Sequence, residues 1–98
     1  MYGFSELINR PVSLVAVTNK ATGGSIGTAA ATVDIATMIT VNQTTASQTL
    51  TLPAPTNATP GLIIPVANVG SQAFTLYTRS VAASNIPSWF WWDGSAWH

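Results

Sequence analysis

The run Ser88-Trp89-Phe90-Trp91-Trp92-Asp93-Gly94-Ser95-Ala96-Trp97 contains every tryptophan of the chain and its clearest turn signal. Asp-Gly between two aromatic runs marks a hairpin. A type I′ turn needs positive φ at both central residues, which Asp tolerates and Gly adopts freely, and its twist matches that of the flanking strands. The stretch therefore reads as a closing hairpin: Trp89 to Trp92, a turn, then Ala96 onward. Side chains alternate along a strand, so Trp89 and Trp91 fall on one face and Phe90 and Trp92 on the other. A domain of 98 residues has one interior to fill, so the second aromatic face is expected to meet another surface.

Upstream of the hairpin the same alternation recurs. Phe74-Thr75-Leu76-Tyr77-Thr78 reads as a strand with Phe74 and Leu76 inward, and Arg79 to Pro87 as an irregular connection. Leu62-Ile63-Ile64-Pro65-Val66-Ala67 is apolar on both faces. Pro65 lacks the N–H a central strand needs, which predicts an edge strand or a bulge there. Pro53 to Gly61, with three prolines, is a long turn. Gln48-Thr49-Leu50-Thr51-Leu52 and the stretch holding Ile35, Ile39 and Val41 alternate as half-buried strands.

Val12 to Asn19 is rich in β-branched residues and reads as a strand buried either through Val15 and Val17 or through Leu14 and Ala16. Lys20 to Ala31, with Gly23, Gly24 and Gly27, reads as a loop or linker. Six or seven short strands with turn signals every 8–12 residues or so predict an all-β sandwich or barrel. The expected architecture is a single small antiparallel β-sandwich or barrel-like domain with an N-terminal arm. Residues 1–32 would hold the arm, first strand and Gly-rich linker, and residues 33–98 the sandwich module.

Composition narrows the function. Charged residues are 6% of the chain, against about 25% in an ordinary soluble domain, and comprise Glu6, Arg10, Lys20, Asp34, Arg79 and Asp93. So little charge does not keep copies apart in solution and suits a protein that works assembled. Net charge is zero, and without a basic cluster nucleic acid is not an expected partner. No basic stretch leads into an apolar one near the start, and nowhere do about 18 apolar residues run together, so neither a secretory signal nor a membrane span is expected. Asn42-Gln43-Thr44 and Asn57-Ala58-Thr59 match the glycosylation pattern by chance in a Thr-rich chain.

From Val33 to Trp97 the order of motifs resembles a small β-sandwich module of tailed bacteriophages. The carriers are a strand, Gln43-Thr44-Thr45, a strand ending Leu50-Thr51-Leu52-Pro53-Ala54-Pro55-Thr56, and the Pro60-Gly61 turn. An apolar strand closing in Val66-Ala67-Asn68-Val69-Gly70, then Phe74-Thr75-Leu76 and the final Trp92-Asp93-Gly94-Ser95-Ala96-Trp97, complete it. The resemblance covers about two-thirds of the chain and rests on turns and alternation, not on a catalytic signature; Pro65 departs from the pattern. It implies a homotrimer found in head decoration proteins and in tail-fibre proteins.

Catalysis finds no support. The one histidine is His98, there is no cysteine, and the three carboxylates stand far apart, whereas a glycosidase needs two of them about 5–9.5 Å apart. No cofactor or metal is expected. Gly23-Gly24-Ser25-Ile26-Gly27 lacks the lysine of a phosphate cradle. Asp34 and Asp93 lack the dense oxygen spacing of a calcium loop and read as turn caps. Tyr2, Phe4, Leu7 and Ile8 lie in the short segment before Pro11 and are expected to contact a partner, which the resemblance makes the major capsid protein. Trp89, Phe90, Trp91, Trp92 and Trp97 are read as core and subunit contact in preference to a sugar-stacking platform, because few charged groups stand by to fix sugar hydroxyls. The expectation is a capsid decoration (cement) protein on the virion exterior, a single domain and arm being too small to attach, extend and present a fibre tip. The alternative is a carbohydrate-binding receptor module of a tail or accessory fibre.

Overall fold

Among the described residues eight short strands form two sheets, alternating between them as far as the sixth strand. The computed structural model describes residues 12–98 and places β1 at Leu14–Val17, β2 at Gly24–Ser25, β3 at Met38–Val41, β4 at Gln48–Thr51, β5 at Ile63–Asn68, β6 at Phe74–Leu76, β7 at Arg79–Val81 and β8 at Ser88–Trp91. The first sheet runs β1-β3-β5-β8 and the second β2-β4-β6-β7. The chain is all-β among the described residues. Tyr2, Phe4, Leu7 and Ile8 lie outside them.

The expected antiparallel pairing is corrected. Pairs β1–β3, β3–β5, β2–β4 and β4–β6 are parallel, and β5–β8 and β6–β7 alone are antiparallel. The cause is the path of the chain: each connection up to β6 crosses to the other sheet, so strands that meet in one sheet have the same direction. Partners are correspondingly distant in sequence, Leu14 beside Met38, Ile39 beside Val66, Gly24 beside Leu50 and Gln48 beside Phe74. The described chain is thus wound into three coils, closed by two antiparallel strands.

The ambiguous register of β1 resolves with Val17 buried and Val15 packed against the core, while Leu14 and Ala16 face out. Ile39, Val41, Ile64, Val66 and Phe90 of the first sheet meet Leu50, Phe74, Leu76 and Val81 of the second in one cluster, continuous with Ile26, Val33, Trp92 and Trp97. Burying one such side chain contributes about 1.5–3 kcal/mol relative to exposure, so this shared interior holds the sheets together.

The glycine-rich run read as a linker carries β2 and the buried Ile26. Gly23 has φ +73°, and a Cβ there would lie 2.7 Å from the Thr49 carbonyl oxygen of the next coil. Glycine is therefore required by close approach as well as by conformation.

Pro65, expected at an edge or bulge, lies in the central strand β5. Leu62 O accepts from Trp92 N and Val69 N donates to Val41 O, so by alternation Ile64 and Val66 address β8 while Pro65 addresses β3. The β3–β5 ladder begins at Ile39 and Val66. Proline's missing donor falls just before that ladder starts, where its cost is small.

At one corner the coils are tied by side chains. Asn19, Gln43 and Gly70 stack, by the register that aligns Val17, Val41 and Asn68. Asn19 Oδ1 accepts from Thr44 N and Thr45 N at 2.8 and 3.0 Å. Buried Gln43 accepts from Lys20 N and donates to the Lys20 and Thr45 carbonyls. A Cβ on Gly70 would lie 2.2 Å from the Gln43 carbonyl oxygen, so only glycine fits beside it. Asn68, buried with Oδ1 on Gly70 N and Nδ2 on the Gln72 carbonyl, satisfies the polar groups a corner would otherwise leave unpaired.

Candidate assembly surface

Alternation along β8 divides the aromatic cluster. Phe90 is fully buried and Trp92 nearly so, while Trp89 and Trp91 on the opposite face are 60% and 49% exposed. Trp97 turns inward against Trp92, ring centroids 5.5 Å apart and edge-on. Both buried indoles spend their N–H on the proline-rich turn: Trp92 Nε1 donates to the Ala58 carbonyl at 3.1 Å and Trp97 Nε1 to the Pro53 carbonyl at 2.9 Å. The two rings thus pin the 53–60 segment that links β4 to β5.

The hairpin differs from the expected type I′ turn. Gly94 has φ +105°, while Asp93 is absent from the positive-φ residues. Asp93 instead stands before the turn, where its Oδ1 accepts from Ser95 N and Ala96 N at 2.7 Å each and its own N donates to the Ala96 carbonyl. The bonds from Ala96 and Ser95, then that with His98, hold its carboxyl at about 2. His98 Nε2 lies 2.6 Å from Asp93 Oδ2, and its ring lies against Trp91, centroids 5.2 Å apart. Asp34 also serves a turn, accepting from Thr56 N at 2.9 Å and from the Thr56 hydroxyl, and these bonds lower its pKa.

Outside the core, the outward positions of the first sheet form rows. Leu14 lies beside Met38 and Pro65 beside Trp89, and continuing the β3–β5 register by one residue sets Met38 beside Pro65. One apolar row therefore crosses all four strands. Next to it Ile63 lies beside Trp91. Leu14 is 63% exposed and Ile63 55%, with Val12 more exposed still. Pro65 itself is buried and Met38 half-buried, so the exposed apolar surface of this face gathers at Trp89, Trp91 and Ile63 on one side and at Leu14 on the other. Ala36, Thr37, Leu62, Ile63, Pro65 and Trp89 line a shallow groove of about 360 Å³ on this face. None of its outward strand positions is charged.

A larger cleft of about 470 Å³ lies between Val33, Asp34 and the Pro55–Leu62 segment. Its carboxylate is already engaged by Thr56. Sequence reasoning set Trp89 and Trp91 on one face and Phe90 and Trp92 on the other through alternation, without deciding which face is buried, and it did not give the partners of Trp89 and Trp91 on neighbouring strands; those depend on the long-range register. No protein family, curated protein or solved structure matches the chain.

Proposed function

We propose that this chain is a structural protein of a bacteriophage virion, a capsid decoration protein that binds the head shell as a homotrimer. One observation carries the assembly part of the reading: Trp89, Trp91 and Ile63 lie side by side, each about half exposed or more, on a sheet face whose outward strand positions hold no charged residue. The virion setting rests on the resemblance of residues 33–97. In this reading the Trp89/Trp91 face supplies subunit contact, and the segment with Tyr2, Phe4, Leu7 and Ile8 engages the major capsid protein. Fractionated virions test it: the chain should follow tailless heads in hundreds of copies, and a few copies following tails would refute it. Binding should also survive a rise to about 0.5 M salt, because apolar contacts are little screened.

A second reading, a carbohydrate-binding module of a tail or accessory fibre, is favoured by the exposure of Trp89 and Trp91 two residues apart on one strand, a spacing of about 6.6 Å. Their rings would stack against sugars, with His98 beside Trp91 as a polar neighbour. Tryptophan fluorescence quenched by host glycans, and lost in Trp89→Ala, would select this reading over the first.

A further inference from the structure

The edges of the two sheets are treated unequally. On β8, residues 88 and 90 address β5, so 89 and 91 address the outer edge, and that edge is covered: Trp91 exchanges N–H and C=O bonds with His98 at 2.9 and 2.8 Å, and the Arg79 guanidinium donates to the Trp89 carbonyl. β7 is short and begins with that arginine, and β2 has two residues. These are ordinary ways of blunting an edge. Among the described residues β1 has none of them. Leu14–Val17 is four residues long and without charge, proline or bulge, and among the described residues no strand lies beyond it.

Its free groups follow from its bonded ones. Thr37 N donates to the Ser13 carbonyl and Asn42 N to the Val17 carbonyl, so residues 13, 15 and 17 address β3. In a parallel ladder a residue's N–H and C=O point the same way, which leaves those of Leu14 and Ala16 directed away from the sheet.

We propose that β1 is a strand-addition site whose occupant is β1 of a second copy, paired antiparallel about a twofold axis. A copy adding head to tail would have to offer its β2, β7 or β8 edge, and those are short, charged or covered. The β1 edge is self-complementary: Leu14 opposite the partner's Ala16 exchanges the N–H and C=O of both residues on each side of the axis. That register sets Val15 opposite its twin. Val15 is packed only partly against the core, and its twin completes its burial. With no charge on the strand, like copies meet without repulsion and a charged partner finds nothing to select. The contact is isologous and closes on itself.

Native mass spectrometry of the full chain at micromolar concentration tests this, because edge pairing makes the copy number even. A dimer is expected, or a hexamer if the trimer proposed above also forms. Ala16→Pro, which removes a donor from the free edge and none from the β1–β3 ladder, should give a monomer or trimer, weakening association by roughly tenfold or more. Ala16→Lys, which keeps the backbone intact, should do the same with an unchanged circular dichroism spectrum. An odd copy number in the wild-type chain would overturn the proposal, as would an even one that persists in the folded lysine variant. The two readings fail separately: a dimer refutes the trimer and keeps the edge, whereas a trimer indifferent to both substitutions does the reverse.

Discussion

The first coil and the last are built from the same kind of strand but end differently. At the last coil the chain reverses. β7 and β8 run antiparallel to their neighbours, the hairpin returns Trp97 beneath the proline-rich turn, and Arg79 sits 3.9 Å over the Phe90 ring while bonding to the edge of β8. At the first coil the parallel ladder stops at β1, with Leu14 and Ala16 unpaired among the described residues and Val15 part-covered. A wound sheet needs a cap at each end because stacking satisfies only interior coils. Here one cap comes from the chain itself; under the proposal the other comes from a second copy.

That contrast is broken most severely at the closed end. Trp97→Ala removes a buried indole, its contact with Trp92 and its bond to the Pro53 carbonyl, and should cost about 3–5 kcal/mol. Urea denaturation should show it unfolded or nearly so; a loss under about 1 kcal/mol would mean that the hairpin does not close the core. Arg79→Met keeps the stem packing but loses the guanidinium over Phe90 and the cover on β8, and should lower stability by about 1 kcal/mol.

At the other end Val15→Ala should cost less, about 0.5–1 kcal/mol in dilute protein, because the side chain is only half-buried in one copy. If β1 pairs with its twin, that cost grows with protein concentration, since association stabilises the folded state by mass action. A cost independent of concentration would leave the open end a simple edge.

The smallest expected effect is acidic. The Asp93 carboxyl is held at about 2 against an ordinary value of 3.8, so the turn bonds that depress it stabilise the fold above pH 4 or so and are lost as pH falls through that interval toward 2. The urea midpoint should fall slightly between pH 5 and pH 2, and less in Asp93→Asn. An Asp93 carboxyl titrating near its ordinary value by NMR would show that the turn is not formed as described.

Much of the strand pattern was legible because burial has a period of two: Ile39 and Val41, Leu50 and Leu52, and Phe74 and Leu76 read as same-face pairs of half-buried strands and are buried, and Phe90 and Trp92, read as sharing one face, are buried together. Strand direction was not legible, because alternation looks the same in parallel and antiparallel ladders. The signal for winding lay in the stacked corner, Val17-Thr18-Asn19, Val41-Asn42-Gln43 and Asn68-Val69-Gly70. A different residue at each level masks the repeat, and the glycine at the third level is demanded by the Gln43 backbone beside it. Gly23 misled for a related reason: close approach between coils selects the same residue as flexibility does. The face holding Trp89 and Trp91 was read from alternation, but its continuation through Pro65 and Met38 to Leu14 required a register that no local pattern contains.

The winding also dictates when the chain can fold. Every parallel pair joins residues from different coils, so each requires a long loop to close before any ladder bond forms. The pairings between near neighbours are β6 with β7, joined through Tyr77 and Thr78, and Trp91–Trp92 with Trp97–His98, both beyond Phe74. Local contacts form first, so structure is expected to start near the last coil and to recruit the earlier ones in turn. During synthesis the earlier coils leave the ribosome first, before that nucleus exists. Folding on the ribosome should therefore be detectable only once the Trp hairpin has emerged.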